Sequence, residues 1–156
     1  MKAILCLTLA LLAAPAMAAD TTPTPTAATP VDKLGAARSL IAAKRWPEAV
    51  AALKRVNDSG NADWNNLLGH SLRMLTPPDL PGAESHYDAA LRIAPEHRGA
   101  LEYSGELYLM KSELARAEQR LAQLARACAS GCEEYADLKQ AIDRYKAAGS
   151  KFVAAP

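Results

Sequence analysis

The chain has 156 residues, half of them hydrophobic, with 18 basic and 17 acidic side chains. Charge so evenly balanced excludes the basic excess of a nucleic-acid-binding domain and the polybasic cluster of a protein held electrostatically at a membrane. Three histidines and three cysteines leave few candidates for metal or nucleophilic chemistry.

The first stretch, MKAILCLTLALLAAPAMAAD, has the layout of an export signal. Lys2 gives a positive start, residues 3–14 are apolar, Pro15 ends the run, and Ala16-Met17-Ala18 fits the small-x-small cleavage rule. Residues 1–18 are therefore expected to be a signal peptide cleaved after Ala18, which predicts a periplasmic or secreted protein. The apolar run is short of the roughly 20 residues that span a bilayer, so no membrane insertion is expected after cleavage. Cys6 lies inside the apolar run without a lipidation context. Residues 19–30, rich in Thr, Pro and Ala, hold no large apolar side chain and predict a disordered linker. The folded part is expected over residues 31–148, with a short tail at 149–156.

That part repeats. WPEAVAALKRV (46–56), LPGAESHYDAA (80–90) and LARAEQRLAQL (114–124) align at an offset of 34 residues. Ala49, Ala83 and Ala117 coincide, as do Leu53, Tyr87 and Leu121, then Val56, Ala90 and Leu124. Spacings of four and three put each trio on one helical face. Pro47, Pro81 and Glu113-Leu114 mark the helix starts. An earlier helix precedes each run: NNLLGHSLRML (65–75) and LEYSGELYLMK (101–111) carry Gly69 and Gly105 at matched places, and Ala36-Ala37 stands weakly in their place in the first unit. Glycine inside a helix costs about 1 kcal/mol against alanine, so a matched pair implies close approach of a neighbouring helix. The interval between those positions is uneven, which places two extra residues in LTPPDLPG (75–82). CEEYADLKQAIDRYKAAG (132–149) adds one more amphipathic helix, with Tyr135, Leu138, Ile142 and Tyr145 on its apolar stripe.

These residues resemble the tetratricopeptide repeat, a 34-residue helix–turn–helix unit. The second unit matches best, through Leu68-Gly69, Leu72, Ala83, Tyr87, Ala90 and Pro95. The third matches at Gly105, Tyr108, Ala117 and Leu121, with Ala129 where a proline would close the unit. The first matches mainly through Ala49 and Leu53. The resemblance implies an all-α, right-handed superhelical stack of three hairpins (31–61, 62–97 and 98–129) with a polar-faced capping helix at 132–148. It also implies a concave groove, lined by the first helix of each pair, that binds a protein or peptide partner.

Helical phase then supplies candidate groove residues. In the second unit Leu68, Gly69 and Leu72 face the core, so Asn66, His70 and Arg73 face away. In the third the equivalent stripe is Glu102, Glu106, Leu109 and Met110, and in the first Leu34, Arg38 and Ile41. The partner-binding set is Arg38, Asn66, His70, Arg73, Glu102, Glu106 and Met110, and Arg73→Ala and Glu106→Ala are expected to affect binding far more than folding. Members of the family that clamp C-terminal carboxylates use lysine and asparagine at matched positions. Leu34, Arg38 and Leu67 replace them here, so that partner class is not expected. Glu102 and Glu106 share a helical face and could do acid–base or metal chemistry, but no histidine or third carboxylate is placed with them in the sequence. His86, on an inward-packing helix, reads as structural.

Cys128 and Cys132 flank Gly131 at a helix–helix corner. Beyond the signal they are the only cysteines, and export favours a disulfide. The alternative is a thiol-redox or copper carrier, since copper(I) accepts two thiolates. Redox and haem motifs need other spacings or a following histidine, and a structural zinc site needs four ligands. No G-x-S-x-G, phosphate loop or H-E-x-x-H occurs. The sequence therefore predicts an interaction module and scaffold, not an enzyme, with no cofactor, no metal and no nucleic-acid partner.

Overall fold

A computed structural model describes residues 32–129 and 131–154. The expected signal and linker lie outside the described residues. Among the described residues seven helices follow one another: α1 (Gly35–Ala42), α2 (Trp46–Val56), α3 (Ala62–Arg73), α4 (Leu80–Ile93), α5 (Arg98–Met110), α6 (Leu114–Ala127) and α7 (Glu133–Ala147). No strand occurs among the described residues, so the fold is all-α.

The sequence period reappears in the backbone. Helices α2, α4 and α6 begin at residues 46, 80 and 114, a step of 34 each time. The turns before α2 and α6 are built alike. Lys44 and Ser112 both take positive φ, and Arg45 N–H donates to Leu40 O as Glu113 N–H donates to Tyr108 O. The turn before α4 differs, because it holds the two extra residues. There Asp79 N–H reaches back to Leu72 O, and the Asp79 carboxylate caps α4 by accepting from Gly82 N–H. Short connectors of this kind fold each helix back on its predecessor. Thus α1 packs on α2, α3 on α4, and α5 on α6, while α2 meets α3 and α4 meets α5.

The helix faces close as the periodicity requires. Ala49, Ala83 and Ala117 are completely buried, with Leu53, Tyr87, Ala90 and Leu124. Val56 and Leu121 are only partly buried, so two members of the aligned trios sit at the rim. Trp64 anchors α3 to α2 by donating its indole N–H to Leu53 O at 2.7 Å. Leu34 and Leu109, expected on the groove stripe, belong to the core instead, at 5% and 1% exposure.

The two matched glycines do admit neighbouring helices, but different ones. A Cβ on Gly69 would lie 2.9 Å from the Tyr87 ring of α4, its hairpin partner. A Cβ on Gly105 would instead meet Leu138 of α7 at 2.5 Å. So α7 lies against α5 as well as α6. Leu138, Ala141, Ile142 and Tyr145 are its buried stripe, and Tyr135 is partly buried.

Candidate functional site

Three helices of this arrangement enclose a cavity of about 630 Å³. His70 and Arg73 come from α3. Glu102, Tyr103, Glu106 and Met110 come from α5. Asp137, Gln140 and Arg144 face them from α7, and Phe152 and Ala154 from the segment after α7 complete that side. Lys44, in the turn between α1 and α2, stands at the rim.

Arg73 is the deepest charge, only 5% exposed. Its guanidinium pairs with Glu106 at 2.6 Å and lies 5.6 Å from the centre of the Tyr103 ring. One terminal nitrogen contacts Met110 Sδ at 4.0 Å. Burial pushes the Tyr87 hydroxyl well above the ordinary phenol range, with the nearby Arg73 charge opposing it. That hydroxyl and Arg73 Nε have no hydrogen-bond partner of good geometry. The pair does not wait for a partner to form: in the folded chain Arg73 is buried and Glu106 is 18% exposed. The sequence-based expectation that Arg73 acts on binding far more than on folding is therefore corrected. Removing one member of a buried pair leaves the other uncompensated.

His70 lies between two aromatic rings. Tyr103 stacks on it at 4.3 Å and Trp46 meets it edge-on at 5.4 Å. Burial, reinforced by Arg73, pushes the imidazole down to about 3. It is neutral at physiological pH and serves as an aromatic wall rather than a charge.

Glu102 is 8% exposed and makes no hydrogen bond or ion pair with a side chain among the described residues. Burial raises its carboxyl to about 8, and the carboxylates of Glu106, Asp137 and Glu134 add to the rise against the opposing pull of Arg73. The fold thus supplies the further carboxylates that helical spacing alone did not place near Glu102. They do not converge as metal ligands. Among the described residues the one converging group of three donors is Cys128, Cys132 and Glu134, whose ligand atoms lie within 4.8 Å of one another.

Cys128 and Cys132 are joined in a disulfide, with Cα atoms 5.6 Å apart, at the corner between α6 and α7. In that state neither sulfur is a thiolate, the form that binds metal or attacks a disulfide.

Five of the seven candidate groove residues therefore meet at one cavity: His70, Arg73, Glu102, Glu106 and Met110. Arg38 and Asn66 do not. Arg38 turns to Asp63 at 3.0 Å, and Asp63 also accepts from His97 Nε2 at 3.0 Å, which ties the starts of α3 and α5 together. His97 Nδ1 in turn caps α5 by accepting from Ala100 N–H. Asn66 is buried, its amide packed on the backbone at Gly99. His86 is structural in its contacts, bonded to Asn65 and edge-on to Trp64.

Sequence reasoning missed Tyr103, the α7 wall and Phe152. Tyr103 shares the 103–106–110 spacing of a helical stripe, which was a usable signal. Asp137, Gln140 and Arg144 are spaced three and four apart on the polar face of α7, which reads as solvent-facing until α7 is known to lie on α5. No protein-family model matches the chain, and no curated protein matches it either.

Proposed function

We propose that the chain is an exported protein-interaction module of the tetratricopeptide type, a right-handed stack of three hairpins capped by α7. Its groove receives a peptide or a segment of a partner protein, and its role is that of a scaffold or assembly factor rather than an enzyme. The observation that carries this reading is the cavity itself. Charged and aromatic side chains from the first helices of two successive pairs, α3 and α5, converge there instead of scattering over the surface. The repeated turn geometry before α2 and α6 supports the repeat assignment.

The test is a pull-down from periplasmic extract. Gln140 is exposed at the cavity wall, so Gln140→Trp should obstruct the groove with little effect on stability, since surface substitutions usually shift it by about 0.5 kcal/mol or less. The variant should lose a partner that the wild type and Lys139→Ala retain. Retention by Gln140→Trp, with loss on a substitution of the outer face of α4, would place the binding surface elsewhere.

A second reading, a thiol or copper carrier, draws on the Glu134 carboxylate beside the two sulfurs. It requires both cysteines as thiolates. A free-thiol count on protein purified from the exported fraction discriminates: the scaffold reading expects none.

A further inference from the structure

We propose that the cavity receives a lysine or arginine side chain of the partner peptide, with Glu102 as its counter-charge. This deepens the interaction-module reading and rests on it.

The argument starts from what the cavity already satisfies. Arg73 and Glu106 neutralise one another at 2.6 Å. Glu102 is left over: it lines the cavity, is more than nine-tenths buried, and has no side-chain partner among the described residues. An isolated buried carboxylate is costly, and a cation within about 4–6 Å removes that cost. The field at Glu102 favours a cation. The largest charge effects on it are three carboxylates, from Glu106, Asp137 and Glu134, opposed by the guanidinium of Arg73, and Lys44, at the rim, forms no ion pair with it. Neutral His70 adds no positive charge, and Arg144, on the facing helix, forms no ion pair with Glu102.

The rest of the lining suits the stem of such a side chain. Lysine and arginine bury their methylenes along apolar surface while the charged head seeks a counter-ion. Met110 lies along α5 below Glu106, and Met74 and Phe152 are exposed at the same cavity, at 37% and 38%. A cation arriving at Glu102 stabilises its ionised form, so a proton held by the carboxyl passes to solvent as the pair forms.

The test uses the folded chain from residue 19 onward, isotope-labelled, at pH 8.5. It is titrated by NMR with N-acetyl-lysine N-methylamide and, separately, with the uncharged isostere N-acetyl-norleucine N-methylamide. The lysine probe should shift amides of α5 and α7 around Glu102 and Asp137 saturably, and bind about tenfold more tightly than norleucine. Glu102→Gln should abolish that tenfold preference. Asp137→Asn, at an exposed position, should weaken it about threefold and stays informative if the first variant is misfolded by its urea midpoint. Equal binding of the two probes, or an unchanged preference in folded Glu102→Gln, overturns the proposal. Tighter binding of putrescine than of the capped lysine overturns the assignment to a peptide side chain. Failure here is distinct from failure of the broader reading: a partner lost by Gln140→Trp but kept by Glu102→Gln removes only the cation subsite.

Discussion

Glu102→Gln is the perturbation with the most specific thermodynamic signature. The fold raises this carboxyl from its ordinary value of 4.5 to about 8. Because the shift is upward, the unfolded chain gives up the proton near pH 4.5 while the folded chain keeps it until about pH 8. The contribution to stability is fully present below pH 4.5, declines through that interval, and levels off above pH 8. Each pH unit of the interval costs about 1.4 kcal/mol, so the ceiling is about 4–5 kcal/mol, lowered by whatever water reaches the carboxyl through the cavity. Glutamine keeps the shape and has no proton to lose. Urea unfolding at pH 5, 7 and 9 should give variant and wild type within about 1 kcal/mol at pH 5. The variant should then gain progressively, by about 2–4 kcal/mol at pH 9. A difference that is constant across the three pH values would refute the reasoning, because it would mean that Glu102 ionises alike in the folded and unfolded chain.

Other perturbations follow from the same contacts. Arg73→Ala should cost up to about 3–5 kcal/mol by leaving Glu106, 18% exposed, without its partner, and Arg73→Met with Glu106→Leu should recover most of it, both read from denaturant midpoints. His70 should impose the opposite pH trend: its folded value is lowered from 6.5 to about 3, so stability is lost as pH falls from 6.5 toward 3, and His70→Gln should flatten that acid limb in thermal melts. Ala83→Leu should overpack the contact between α3 and α4, where Ala83 is completely buried, at a cost of about 1–3 kcal/mol. Cys128→Ser with Cys132→Ser should cost about 2 kcal/mol or less, as expected for so short a loop, and should leave partner capture unchanged.

The helices and the step of 34 were legible because they are local. Alanines at 49, 83 and 117 and prolines at 47 and 81 write the period and the helix starts directly into the sequence. The two-residue insertion in the α3–α4 turn was legible for the same reason, as a change in the glycine interval. The candidate cavity was legible only in half. Helical phase within α3 and α5 selected His70, Arg73, Glu102, Glu106 and Met110, but phase cannot rank burial. Arg73 and Glu106 were therefore read as open groove charges when they form an ion pair whose arginine is buried. Leu34 and Leu109 failed for a related reason: a stripe defined as opposite to one core face can still meet another neighbour. The α7 wall was illegible because its placement depends on Leu138 entering the space left by Gly105, a contact 33 residues distant in sequence. Once that contact exists, the polar face of α7 turns from a solvated surface into a wall, and Asp137 and Arg144 come to face Glu102.

The central claim is that a partner protein occupies the cavity between α3, α5 and α7. Site-specific photo-crosslinking tests it most directly. Benzoylphenylalanine placed at Gln140 and at Met74, both exposed at the cavity, and at Arg92, exposed on α4, is irradiated in extract of the producing cells and the adducts are compared by mass spectrometry. The account predicts one shared partner species crosslinked from positions 140 and 74 and absent from 92. That species crosslinked from 92 and from neither cavity position would contradict it.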